Sequence, residues 1–178
     1  LPFERVSPSV ETMGHRLLVL WRLSSPDRCP ALIVSGVRAL LQRLGPGATT
    51  VEPILLRKGA SLDLDALLAE LTRFGYRREA LVEHRGEFAQ RGAIVDIFPS
   101  TADSPIRIDL WGDEVDRLTE FAVNDQRSIN ELAETFVFPA RELIPSPQVR
   151  AHAASLVATE PWGREQWERI AEGTLFDG

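Results

Sequence analysis

Arginines are concentrated in one short stretch of the chain. Five of them and one histidine fall within 19 residues of a chain whose formal net charge is −6: Arg73, Arg77, Arg78, Arg85, Arg91 and His84. A guanidinium group binds carboxylates and phosphates through paired hydrogen bonds, so the stretch predicts a site for an acidic partner. The competing interpretation is a solvated face with internal ion pairs to Glu79, Glu83 and Glu87. Residue spacing leaves both interpretations open.

Nucleotide hydrolysis requires a glycine-rich phosphate loop of the form GxxxxGK[ST]. Lys58 is the single lysine, and its context RKGAS lacks the leading glycine at that spacing. The other glycine-rich turn, Gly45-Pro46-Gly47, has no lysine after it. We therefore expect no ATP hydrolysis by this chain and no cofactor of its own.

Metal-dependent or nucleophilic catalysis has weak support. The densest carboxylates are Asp96, Asp109, Asp113 and Glu114. Asp113 and Glu114 fit a turn, and Asp96 is expected to pair with a nearby arginine. The three histidines are scattered, and no serine lies in a recognisable nucleophile turn. We predict a chain that is not an enzyme and holds no metal.

The composition bounds the class of protein. An isoelectric point near 5.2 argues against a surface devoted to nucleic-acid phosphates. The single cysteine, Cys29, fits a reducing compartment, and no apolar run approaches the roughly 20 residues of a membrane span. We expect a cytoplasmic protein without membrane contact. The start without methionine and the end at Gly178 suggest an excised fragment.

The first 44 residues predict an α/β layer. Apolar residues from Val10 to Trp21 recur at helical spacing after Ser9, a plausible N-cap. The apolar run Ala31–Ser35 predicts a buried strand, and Val37–Leu44 predicts a helix ended by Gly45-Pro46-Gly47.

The middle of the chain predicts an antiparallel sheet with one helix. The helix is expected over Asp63–Phe74, with Gly75 at its end. The strands are expected at Val51–Arg57, Ala80–His84, Gly92–Phe98, Ile106–Trp111 and Val115–Val123. In Ile106–Trp111, apolar residues alternate with charged residues and a tryptophan, which predicts one buried face and one face open to a partner. A connector should follow Asn124, and then a strand at Glu134–Phe138 and helices at Gln148–Ala158 and Pro161–Glu172.

The stretch from Gly75 to Ser128 carries a specific order of motifs: YRR, then RGEFAQRG, then IVDIFP, then IRIDLWGDE, and finally DRLTEF. This order resembles the segment shared by the nucleotide-excision-repair subunit UvrB and the transcription-repair coupling factors. The flanks LPFERVSPSV, RELIPS and EPWGREQWERIAEG resemble the coupling factors rather than UvrB.

The resemblance implies an architecture. Residues 1–40 and 126–178 would contribute to a degenerate, incomplete RecA-like layer without motor motifs. Residues 41–125 would form an inserted small α/β domain with an antiparallel sheet, the UvrB-like domain 2. A full-length member would be an ATP-dependent DNA translocase that contacts RNA polymerase and DNA, and binds ATP, through parts absent from this chain.

The resemblance also implies a partner. The inserted domain would bind UvrA, the damage-recognition ATPase, and recruit it to stalled RNA polymerase. The matching arginines are Arg78, Arg91 and Arg107, with Arg85 also in the motif and Arg77 beside it. At Ala89 the chain departs from UvrB, which has an arginine there. The alternative function is an accessory module that binds DNA phosphates through the same arginines.

Three aromatic residues are candidates for the partner surface because aromatic side chains and arginines anchor protein interfaces. They are Phe88, Phe98 and Trp111. Phe98, before Pro99, is expected in the core. The sequence leaves Trp111 open.

Overall fold

The computed structural model describes residues 8–42, 44, 48–160 and 162–174. The helices in these ranges are α1 (Val10–Leu23), α2 (Val37–Leu40), α3 (Leu64–Arg73), α4 (Pro147–Thr159) and α5 (Arg164–Glu172). The strands are β1 (Ile54–Arg57), β2 (Arg77–Arg78), β3 (Glu87–Arg91), β4 (Ile94–Ile97), β5 (Ile106–Trp111), β6 (Glu114–Phe121), β7 (Ser128–Glu131) and β8 (Glu134–Val137).

Six strands form one sheet in the order β2-β3-β4-β5-β6-β7. The short β2 runs parallel to β3, and all other neighbours are antiparallel. This confirms the predicted antiparallel sheet, although the sequence did not predict β3 or β7. All four residues of β7 are exposed, so the strand has no alternating apolar pattern to reveal it. The sheet therefore continues past residue 125, and the predicted division into domains stays a prediction.

One face of the sheet packs against α3. Val95, Ile108 and Leu118 occupy paired positions on three neighbouring strands, and they share a buried cluster with Leu67 and Leu71 of α3. Asp63 caps the helix by accepting a hydrogen bond from the Ala66 backbone N–H at 3.0 Å. Gly75 then takes a left-handed φ of +82°, as predicted for a residue that ends a helix. The principal core thus lies on this face.

The opposite face carries a smaller buried cluster of Val82, Ala89, Phe98 and Phe121. The loop of residues 79–86 supplies Val82, which is fully buried. This second face is therefore closed at one end by the loop.

The helix α1 docks beside the sheet. Ser9 accepts a hydrogen bond from the Thr12 backbone N–H, which confirms the predicted N-cap. Leu17 is buried against Phe138, just after β8. At Gly14 an added Cβ would lie 2.5 Å from the Ser100 Cβ, so the helix approaches the sheet domain too closely for any side chain there.

After the sheet, the chain forms β8 and the helices α4 and α5. Strand β8 pairs antiparallel with β1 as a separate two-stranded ribbon, and α4 contacts α5. Ser146 caps α4, and Pro147 begins it. The predicted strand and both predicted helices of this region are confirmed.

Three of the predicted helices and strands are wrong. Ala31–Ser35 is not a buried strand, since Leu32 is 79% and Val34 is 88% exposed and no described strand pairs with it. An apolar run does not specify which backbone will pair with it, and a strand needs that partner. The helix predicted over Val37–Leu44 ends at Leu40, and Gly45-Pro46-Gly47 lies outside the described residues.

The third error is the strand predicted at Ala80–His84, which is a loop. Its backbone N–H groups at Glu83 and His84 donate to the Glu87 carboxylate, 2.9 and 2.8 Å away, instead of to a neighbouring strand. The edge strand is Arg77–Arg78 instead. A side-chain acceptor thus replaced the ladder that the apolar pattern predicted.

Candidate functional site

The sheet register brings three of the candidate arginines, Arg77, Arg91 and Arg107, to one face. Ala89 pairs with Asp96, Asp96 with Arg107, and Arg107 with Thr119, which places all four on the face away from α3. Arg91 lies two residues beyond Ala89 on β3 and therefore points to the same face. We call Arg91, Asp96 and Arg107 the arginine face.

Asp96 is the centre of the arginine face. Its carboxylate is 1% exposed and accepts three hydrogen bonds. Arg107 donates from Nε to Oδ1 at 2.6 Å and from Nη2 to Oδ2 at 2.9 Å. Arg91 donates from Nη2 to Oδ2 at 2.5 Å. The prediction that Asp96 pairs with a nearby arginine is confirmed.

Arg107 is held from several sides. Its Nη1 donates to the backbone carbonyl of Gln126 at 3.2 Å, and its guanidinium lies 4.7 Å from the centre of the Phe121 ring. The hydrogen bonds to Asp96 raise the pKa of Arg107 above its already high ordinary value. With 17% of its side chain exposed, Arg107 is a fixed cation that orients Asp96.

Arg91 has a different environment, at the end of β3. Its side chain is 46% exposed, so the guanidinium meets solvent on one side while Asp96 holds the other. A cation that is both anchored and accessible loses little rotamer freedom when it binds a carboxylate. Of the two arginines on Asp96, Arg91 is therefore the more accessible one.

Arg78 and Arg85 lie elsewhere. Arg78 pairs in register with Phe88, so it lies toward the α3 side of the edge strand, where it donates to Gln90 at 2.7 Å. Arg85 donates to the Ala102 carbonyl at 2.8 Å and pairs with Asp103 at 3.1 Å. The sheet thus does not bring Arg78 to the face of Arg91 and Arg107.

Arg77 pairs with Glu87 at 3.1 Å, one of the internal ion pairs considered from the sequence. Burial alone would raise the pKa of the Glu87 carboxyl, but hydrogen bonds from the Glu83 and His84 backbones and the charges of His84 and Arg77 lower it overall. Glu87 therefore stays ionised and holds the loop of residues 79–86 in place.

The aromatic candidates divide clearly. Phe88 is 2% exposed and belongs to the α3 core, so its proposed place at an interface is wrong. Phe98, 6% exposed, is in the core as expected. Trp111 is 83% exposed, which resolves the alternative that the sequence left open. Ala89, where UvrB has an arginine, is buried under the loop of residues 79–86.

Sequence reasoning missed one buried polar cluster. The Tyr76 hydroxyl donates to the Phe138 carbonyl at 2.7 Å and accepts from the Ser100 backbone N–H at 3.0 Å. The Ser100 hydroxyl is 3.1 Å from both the Phe138 and Pro139 carbonyls. Burial raises the pKa of Tyr76, which keeps its proton in place. The tyrosine of the motif YRR was the available signal.

Among the described residues, no cluster of three or more histidine, cysteine or acidic side chains is arranged to bind a metal ion. None of the described helices has the length and apolar character that crossing a membrane requires.

Known proteins resemble this chain in two ways. Residues 54–143 match the family described as the UvrB interaction domain. The whole chain is 42% identical to a transcription-repair-coupling factor of Mycobacterium tuberculosis and covers 16% of it. Over 80% of the chain, identity is 34% to the Escherichia coli transcription-repair-coupling factor, of which 12% is covered. The chain spans about a sixth or less of these relatives. On the matched residues, which include β1 to β8 and the arginine face, the chain belongs to the UvrB interaction domain family.

Proposed function

We propose that this chain is the part of a transcription-repair coupling factor that binds UvrA and so recruits excision repair to stalled RNA polymerase. It acts as a binding module without a catalytic step of its own. The arrangement of Arg91 on buried Asp96 carries the proposal, since it presents an oriented cation on an open sheet face. The family resemblance supplies the identity of the partner.

The charge pattern favours a protein over nucleic acid. Arg91, Arg107 and Arg117 share the face with Asp96 and Asp109, and Glu131 pairs with Arg117 at 3.4 Å. Cations and carboxylates are thus interspersed there. A DNA-binding face instead accumulates unopposed cations, because its affinity comes from replacing condensed counterions. A partner with its own mixed charges matches this face better.

The test is a titration of the chain with UvrA from the same genome. Arg91→Ala should weaken binding by about 2 kcal/mol, roughly thirtyfold, and Arg91→Glu by more. Arg73→Ala is the matched control because Arg73 is also 46% exposed and also pairs with one carboxylate, that of Glu70, but lies on α3. Its affinity should equal that of the parent.

Two results would contradict the proposal. If the Arg91→Glu variant binds UvrA as tightly as the parent, Arg91 is not part of the binding site. Tight binding of a short DNA duplex with a steep salt dependence, in the absence of UvrA, supports the accessory DNA-binding function instead.

The proposal assigns other activities to the rest of a full-length protein. ATP-driven translocation on DNA and the contact with RNA polymerase belong to segments outside this chain, and the site of action is the bacterial cytoplasm. Leu32, Val34 and Leu40 are apolar and exposed. Their exposure supports the proposal that residues 31–40 pack, in the full-length protein, against parts of a RecA-like layer that lie outside this chain. A longer stretch of the protein should protect these residues from hydrogen exchange.

A further inference from the structure

Trp111 stands out on the surface of the sheet domain. It is 83% exposed, although large aromatic side chains are usually at least half buried. Residues 107, 109 and 111 alternate with the buried Ile106, Ile108 and Leu110 on β5. Trp111 therefore projects from the same face as Arg107, about 13 Å farther along the strand.

The backbone under Trp111 is held firmly. It lies at the end of β5, where the chain turns through Gly112 into β6. The Leu62 backbone N–H donates to the Asp113 carbonyl at 2.6 Å, and Val115 donates to Ala60 at 3.0 Å. These bonds tie the turn to the segment before α3. An exposed tryptophan on a fixed turn loses little entropy when a partner covers it.

The residues beside Trp111 complete a surface. Arg91, Ile94, Asp109 and Arg117 form one row across β3 to β6, next to the row of Asp96 and Arg107. Ile94 is half-buried, and Asp109 is partly exposed. An exposed tryptophan near oriented arginines matches the composition of interface hot spots, which are enriched in these two residue types.

We infer that Trp111 is an apolar anchor of the UvrA-binding surface, with Arg91 as the cationic anchor. This inference rests on the proposed function and deepens it. The two anchors define the partner surface: UvrA would place an apolar group over Trp111 and a carboxylate near Arg91.

The experiment is a titration of UvrA with the whole chain and four variants. Trp111→Ala should raise the dissociation constant at least about tenfold, whereas Trp111→Phe should recover part of that loss. Trp162→Ala is the matched control, since Trp162 is 84% exposed but precedes α5 and belongs to no strand of the sheet. Arg91→Ala completes the set. Thermal melts should match the parent for both tryptophan-to-alanine variants because the removed side chains are exposed.

Salt separates the two anchors. Raising the salt concentration should diminish the effect of Arg91→Ala, since exposed charges are screened, but leave the effect of Trp111→Ala largely unchanged. A parent chain that fails to bind UvrA overturns the proposed function itself. Normal binding by the parent and equal binding by Trp111→Ala overturns only the role of Trp111. Equal losses in Trp111→Ala and Trp162→Ala, or Trp111-dependent binding of single-stranded DNA, overturn it as well.

Discussion

Arg107 and Arg91 bind the same carboxylate, yet their removal should have very different consequences for stability. Arg107→Ala removes two of the three hydrogen bonds on Asp96, together with the contact to the Phe121 ring. Arg91→Ala removes one hydrogen bond and leaves both from Arg107 in place. The comparison tests whether Arg107 supports the site while Arg91 makes contact.

The magnitudes follow from burial. Removing one partner of a buried ion pair costs about 3–5 kcal/mol. Arg91 remains on Asp96 and compensates part of its charge, so Arg107→Ala should cost about 3 kcal/mol, at the lower end. Arg91 is 46% exposed, and pairs with that much solvent contribute about 1 kcal/mol or less. We therefore expect a difference of about 2 kcal/mol between the two variants.

Urea unfolding followed by circular dichroism measures these changes in the free energy of unfolding, and thermal unfolding gives the matching shift in Tm. For a chain of this length, 1 kcal/mol corresponds to a shift in Tm of about 2–4 °C. Arg107→Ala should therefore melt roughly 6–12 °C below the parent. Arg117→Ala is the control on the same face. Its pair with Glu131 is exposed, and its loss should stay within about 0.5 kcal/mol.

Equal destabilisation by Arg91→Ala and Arg107→Ala would refute this reasoning, and so would Arg107→Ala with the stability of the parent. A double-mutant cycle gives a further check. Because Asp96→Ala removes the charge that Arg107 compensates, the double variant should lose clearly less stability than the sum of the two single variants.

Three further predictions concern the elements that support the site. Tyr76→Phe should lose about 1–3 kcal/mol in urea unfolding, because the buried Ser100 N–H loses its acceptor. An unchanged midpoint would contradict this. Gly14→Ala should lose about 1–3 kcal/mol, since its Cβ meets Ser100 and α1 must move. Gly36→Ala, with open space around it, is its control. Glu87→Gln should be less stable than the parent at neutral pH. Because folding lowers the pKa of Glu87, the advantage of the parent should disappear as the pH falls below the ordinary carboxyl value of 4.5. A difference that does not change with pH would contradict it.

Much of the fold was predictable from local pattern. The cap at Ser9, the helix α3 and the alternation in β5 follow from residue types at fixed spacing, and the structure confirms each. The strand β7 and the loop of residues 79–86 were not predictable in this way. The first has a single apolar residue, the exposed Ile129, and in the second the carboxylate of Glu87 replaces a neighbouring strand as acceptor.

The sequence by itself determined the chemistry available to this protein: arginines near one carboxylate, no phosphate loop, and the motif order of its family. Only the tertiary structure decided which arginines share a face, because facing depends on strand register and edge position. It separated Arg78 from Arg91 and Arg107, and it buried Phe88 while exposing Trp111. The physical reason is that pairing between distant strands determines which side chains become neighbours, and a local pattern cannot specify that pairing.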